Sequence, residues 1–154
     1  MNLNERLAGM PTPRKIAVGA ALVLLINSFL PWYHASFGPF GSVNFNGWHG
    51  VGVVAWLFVL CLLVIEGLRL AGVLPWSPGR ADLATVTASA GTVLFALIYV
   101  IVRLTEGYLG FAFFIGILAL VALAYGTFGI WKEGAARAAL AELQASSSTG
   151  GSED

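Results

Sequence analysis

The chain has 154 residues, of which 58% are hydrophobic and only 10% charged, with a mean hydropathy of +0.82. Soluble domains carry about 25% charged residues, so the composition excludes an ordinary water-soluble globule. The eight Lys and Arg balance the eight Asp and Glu, which leaves no basic excess for a nucleic-acid partner.

Residues 1–13 contain Pro11 and Pro13 and read as an irregular segment or a short surface helix. Arg14 and Lys15 then precede the first of four apolar runs, Ile16 to Tyr33. A bilayer core about 30 Å thick needs roughly 20 apolar residues as helix, and this run is the shortest of the four in strictly apolar terms. Its basic flank raises a secretory signal, whose cleavage needs small residues at −3 and −1 of the cut. Two positions before Ala35 stands the bulky Tyr33, so the segment reads as an uncleaved helix.

The next stretch, LPWYHASFGPFGSVNFNGWHG from Leu30 to Gly50, has no Asp, Glu, Lys or Arg, yet it holds both histidines and two of the five tryptophans. Pro31 ends the first helix, and Gly38, Pro39, Gly41 and Gly47 supply turns. The alternation in SVNFNGW with its Asn46-Gly47 pair signals a hairpin. A compact cap over 34–50 is expected.

The second run, Val51 to Leu74, carries Glu66 and Arg69 near its end, and a second LPW, Leu74 to Trp76, stops it. The third, Ala84 to Val102, lies between Asp82 and Arg103, and the fourth, Tyr108 to Trp131, between Glu106 and Lys132. The short connections imply antiparallel neighbours. The expected fold is therefore an all-α integral membrane protein, an antiparallel bundle of four transmembrane helices at 16–33, 51–74, 84–102 and 108–131 within a domain of 14–133. The tail 134–154 starts rich in Ala, Leu and Glu, which favours helix. From Ser146 its Ser, Gly and acidic residues read as disorder.

Basic residues orient the bundle. Arg6, Arg14, Lys15, Arg69, Arg80, Lys132 and Arg137 fall on one side of four spans, and Arg103 alone on the other. The positive-inside rule then puts both termini in the cytoplasm of a cell (plasma) membrane protein and the cap outside. A short translocated loop avoids Lys and Arg, which accounts for the uncharged stretch. Trp32 and Trp48 outside, and Trp76 and Trp131 inside, stand where interfacial aromatic anchors are expected.

Glu66 and Arg69 are the only ionisable residues clearly within an apolar run, and intramembrane charge is a functional candidate by default. From Val51, Glu66 is the sixteenth residue, about 22 Å along at 1.5 Å per residue. That leaves it about 8 Å short of the inner boundary of the hydrocarbon. The i, i+3 spacing permits an ion pair with Arg69, which can snorkel to the headgroups. The alternative is a proton or substrate site at Glu66.

Thr85, Ser89, Thr92 and Ala96 recur on one helical face beside Ala88 and Gly91. The fourth run has Ala112, Gly116, Ala119, Ala122, Gly126 and Gly129. Such stripes let helices approach and hydroxyls bond across them; the functional alternative is a hydrophilic path. Asn27 and Ser28 read as similar polar glue. His34 and His49, at the two ends of the cap, are low-ranking metal candidates with no Cys, Asp or Glu beside them, whereas a site needs three or four protein ligands. Cys61 reads as a small apolar residue. No phosphate loop, nucleophile elbow, CxxC or HExxH is present, and neither an enzymatic activity nor a cofactor is expected.

In FLPWY, in the uncharged loop ending NGWHG and in the Ser/Gly/acidic tail, the chain resembles small four-span membrane proteins common in actinobacteria. The resemblance covers most of the chain and carries no functional residues across. The expected role is non-enzymatic, through helix association with other membrane proteins or with itself in the lipid bilayer, as an accessory or scaffold subunit or a homo-oligomer. The rival is a small transporter or channel using Glu66 and the hydroxyl face of the third helix.

Overall fold

The computed structural model describes residues 3–36, 38–104 and 108–134, together with 138, 140 and 141. Its elements in order are α1 (Leu3–Ala8), α2 (Thr12–Asn27), β1 (Pro31–Ser36), a short 3-10 turn (Gly38–Phe40), β2 (Ser42–Asn46), α3 (Gly52–Ala71), α4 (Pro78–Leu104), β3 (Tyr108–Leu109) and α5 (Phe111–Lys132). Among the described residues three helices, α3, α4 and α5, are long and apolar enough to cross a membrane. The chain is a membrane protein of mainly helical build.

The helix boundaries follow from the punctuation of the sequence. Proline stands in the first turn of α2 and opens α4, where its missing N–H would have had no helical partner. Gly72 ends α3 in the left-handed region at φ +75°, and its N–H returns to the Arg69 carbonyl. A glycine there avoids the Cβ penalty. α4 starts at Pro78, well ahead of the expected Ala84, so that Asp82 lies inside the helix.

The first run does not stay helical to Tyr33. α2 stops at Asn27, and residues 31–36 form a strand. The residue before a proline disfavours α geometry, which turns Leu30 out of the helix. The freed carbonyls find other donors: Ser28 Oγ donates to Leu25 O at 2.6 Å, and the Trp32 indole folds back to Asn27 O at 2.8 Å.

β1 pairs antiparallel with β2 on one side and with the two-residue β3 on the other. The small sheet corrects the all-α expectation. It forms because the chain beyond Asn27 leaves the helix with its main-chain groups unpaired, and extended pairing satisfies them. The hairpin also reverses elsewhere than expected. Its turn runs from Gly38 to Gly41, with φ +62° and +101° at those glycines. Asn46-Gly47 instead closes β2: Asn46 Oδ1 accepts the Trp48 N–H at 3.1 Å and Gly47 N–H donates to Ser28 O at 2.9 Å.

The small-residue faces are consumed inside the chain. Thr85, Ser89 and Thr92 are fully buried. A Cβ at Gly91 would lie 2.8 Å from the Phe58 ring, and one at Gly126 would lie 2.7 Å from the Ala17 nitrogen. Gly129 meets the Pro13 ring and Gly116 the Trp32 ring. α5 thus runs antiparallel to α2 in close contact, with Asn27 Nδ2 donating to Ala112 O at 2.8 Å at one end and Pro13 against Gly129 at the other. In the tail, Gly134 leaves the helix at φ +88° and residues 138, 140 and 141 are helical; the rest of that expectation, the disordered segment included, lies outside the described residues.

Candidate functional site

The antiparallel packing brings the start of α2, the end of α3 and the start of α4 to one end of the bundle. Arg14, Glu66 and Asp82 are 7%, 1% and 7% exposed there. Arg14 Nη2 donates to Asp82 Oδ1, and Arg69 Nη1 reaches the same oxygen at 2.5 Å. Arg14 Nε stands 3.5 Å from Glu66 Oε1, and Thr85 Oγ1 donates to that oxygen at 2.6 Å. One buried carboxylate, Asp82, therefore clamps α2 and α3 to α4.

Glu66 and Arg69 do not form the pair that their spacing allows. Glu66 turns into the bundle toward Thr85 and Arg14, while Arg69, one turn on, is more exposed and pairs with Asp82. The reason lies in the helix boundary: starting α4 at Pro78 puts a carboxylate of another helix within Arg69's reach. Arg14 and Asp82 served in the sequence only to bound and orient spans. The signal was present. Asp82, Thr85, Ser89 and Thr92 continue one face by a turn, and Arg14, Ala17, Ala21 and Leu24 share one face of α2.

Several polar atoms of the cluster remain unpaired. Arg14 Nε, Glu66 Oε2 and Ser89 Oγ are buried without a hydrogen-bond partner. Beside the cluster lies a cavity of about 350 Å³, whose walls include Arg6, Met10, Arg14, Glu66, Arg69 and Leu70. Arg6 arrives from α1, where its Nη1 donates to Leu70 O at 2.6 Å. Gly72 makes room, since a Cβ there would lie 2.6 Å from Arg6 Nη1.

The opposite end is closed by rings. Trp32 is 1% exposed and meets Trp56, Tyr99 and Phe113 edge-on, with centroids 5.4, 5.8 and 6.2 Å away. Trp32 is thus packed in the core, because its indole is drawn in to cap α2. Trp56 donates to Gly47 O at 2.6 Å, and Trp48, half-buried, donates to Ser28 Oγ at 2.9 Å. Indole N–H groups thus tie the cap to the helix ends. Trp76 is exposed and Trp131 half-buried. Arg103 lies over the Tyr33 and Tyr99 rings at 5.6 and 5.3 Å.

The two histidines are held separately. His34 Nδ1 bonds Asn44 Oδ1 at 2.7 Å and His49 Nδ1 meets Asn46 O at 3.3 Å. Among the described residues no group of three or more His, Cys, Asp and Glu side chains could hold a metal. Thr92 and Thr127 hydroxyls donate to the carbonyls of Ala88 and Leu123, one turn earlier, and so are satisfied within their own helices. No protein-family model, curated protein or solved structure gives a significant match to the chain.

Proposed function

We propose that the chain is a non-enzymatic multi-pass protein of the cell membrane, with four spans and both termini cytoplasmic, acting as an accessory or scaffold subunit or as a homo-oligomer. α2, at 16 residues, covers about 24 Å at 1.5 Å per residue, and the turn at Ser28 to Leu30 extends it toward the full core. Its close antiparallel packing on α5 supports counting it as the fourth span. The convergence of Arg6, Arg14 and Arg69 at one end, with Arg103 at the other, agrees with the orientation from positive charge.

One observation carries the scaffold reading: the polar and small-residue faces are spent within the chain, and the ring cluster closes the interior. Thr85, Ser89 and Thr92 are fully buried, and the Trp32 cluster plugs their far end. What remains outside is an apolar exterior and a folded cap whose hairpin tip exposes Phe40 at 91%. Association between chains then uses these surfaces, since the stripes are already occupied. Purification in mild detergent should yield a stoichiometric partner or a discrete oligomer, and Phe40→Asp should weaken it. A monomer without bound protein would oppose the reading.

A second reading, a small transporter or channel, draws on the unpaired Glu66 Oε2 and Ser89 Oγ on the line Glu66, Thr85, Ser89, Thr92. It needs the rings to part and admit water. Gradient-driven flux into proteoliposomes that disappears in folded Glu66→Gln protein would favour it over the scaffold.

A further inference from the structure

We infer that the cavity between α1, α2 and the end of α3 binds a phosphate anion through Arg6, Arg14 and Arg69. Three guanidiniums from three helices meet around one space of about 350 Å³. Among the described residues the carboxylates paired with these arginines are Glu66 and Asp82. Asp82 occupies one nitrogen of Arg14 and one of Arg69, and among the described residues Arg6 donates through Nη1 to the Leu70 carbonyl. Arg6 and Arg69 therefore retain N–H donors at the cavity, and Arg14, 7% exposed with an unpartnered Nε, brings buried charge to its wall.

The donor geometry selects the ligand class. Guanidinium forks match phosphate oxygens in pairs, and a tetrahedral anion can accept from side chains arriving from different directions, which a planar carboxylate cannot do as well. Beside the arginines the wall carries the Glu66 carboxyl, on the side where Arg14 and Thr85 already hold its Oε1, and the apolar Met10, Pro11 and Leu70. That combination suits a phosphate carrying a glycerol or other small organic group. Basic pockets between helices at the cytoplasmic end of a bundle recognise anionic headgroups in this way. A lipid headgroup and a soluble phosphate ester share the chemistry.

The test uses the full chain in a neutral maltoside detergent, with binding read by native mass spectrometry. Phosphatidylglycerol, phosphatidylcholine, glycerol 3-phosphate and inorganic phosphate are the probes. Phosphatidylglycerol should bind at least tenfold more tightly than phosphatidylcholine. Arg6→Gln should weaken it about tenfold, the scale of one lost charge-assisted contact. Arg80→Gln, the same charge change at the same end but outside the cavity, should leave binding unchanged. Arg6→Lys, which keeps the charge and loses the fork, should fall between, and it keeps the test valid if the glutamine variant is poorly folded. Arg6-dependent binding of glycerol 3-phosphate or inorganic phosphate as tight as that of the lipid would support the site with a soluble source. Equal losses in Arg6→Gln and Arg80→Gln, no preference over phosphatidylcholine, or no binding of any probe would overturn it.

Discussion

Asp82→Asn should cost the fold more than any other single neutralisation of the charge cluster. The Asp82 and Arg14 side chains are each 9% exposed, and that of Arg69 is 25% exposed. Removing one partner of a buried pair costs about 3–5 kcal/mol, because the other charge is left uncompensated. Arg69 contributes less, as its long stem can carry the charge to water. Asparagine keeps a carbonyl acceptor, which returns about 1 kcal/mol, the usual net worth of one hydrogen bond. The expected loss is thus about 2–4 kcal/mol. Glu66→Gln should cost less, since an amide oxygen still accepts from Thr85 and the Arg14 Nε contact, at 3.5 Å, is not a hydrogen bond. Replacing Arg14 by Met, Asp82 by Leu and Glu66 by Gln together, so that no buried carboxylate is left without its arginine, should recover most of the Asp82→Asn loss, as apolar substitutes for a buried pair often do. Unfolding by SDS titration in mixed micelles, followed by far-UV circular dichroism, measures all three. An Asp82→Asn change within about 0.5 kcal/mol of wild type, the range of ordinary surface substitutions, would refute the clamp. So would a larger loss from Glu66→Gln.

Gly126→Ala should destabilise by about 1–3 kcal/mol, the usual cost of overpacking, because its Cβ would meet the Ala17 backbone nitrogen at 2.7 Å. Gly19→Ala and Gly67→Ala, with nothing within 4 Å of the new Cβ, should instead gain about 0.5–1 kcal/mol from helix propensity; the same titration compares all three. Trp32→Phe removes the indole donor to Asn27 O, which keeps the Leu30 N–H, and should cost about 0.5–1.5 kcal/mol, the net worth of one hydrogen bond. Neutral behaviour of that variant would contradict the capping role. In single-tryptophan variants, Trp56 should resist aqueous acrylamide and Trp76 should quench, following exposures of 0% and 48%. Similar quenching of both would place Trp56 outside the ring cluster.

Periodicity and length made the apolar helices legible. A run of twenty apolar residues has few other ways to satisfy its backbone in lipid. The hydroxyl face of α4 was legible for the same reason, since residues at helical spacing must share a side. Less legible was what a tertiary partner decides. Hydropathy carried the first span through Trp32 and Tyr33, because an apolar strand and an apolar helix end have the same composition. The third strand of the sheet depends on β1 finding β3 far along the chain, a pairing no local window contains. Asn46-Gly47 read as the hairpin turn, yet the turn lies at Gly38 to Gly41, where two glycines take positive φ. The cluster was visible at Glu66 and Arg69 alone. Arg14 and Asp82 looked like flanks until α4 proved to start at Pro78 and α2 to bury its first turn against its neighbours.

The four-span arrangement rests on α2, and labelling on both of its flanks tests it most directly. With Cys61 replaced by Ala, single cysteines at Gly9, before α2, and at Ser42, in β2, are both at exposed positions. A membrane-impermeant maleimide applied to intact cells should label the cysteine at 42 and reach the one at 9 only after permeabilisation. Labelling of both in intact cells, or of neither, would put the flanks of α2 on the same side and contradict the four-span account.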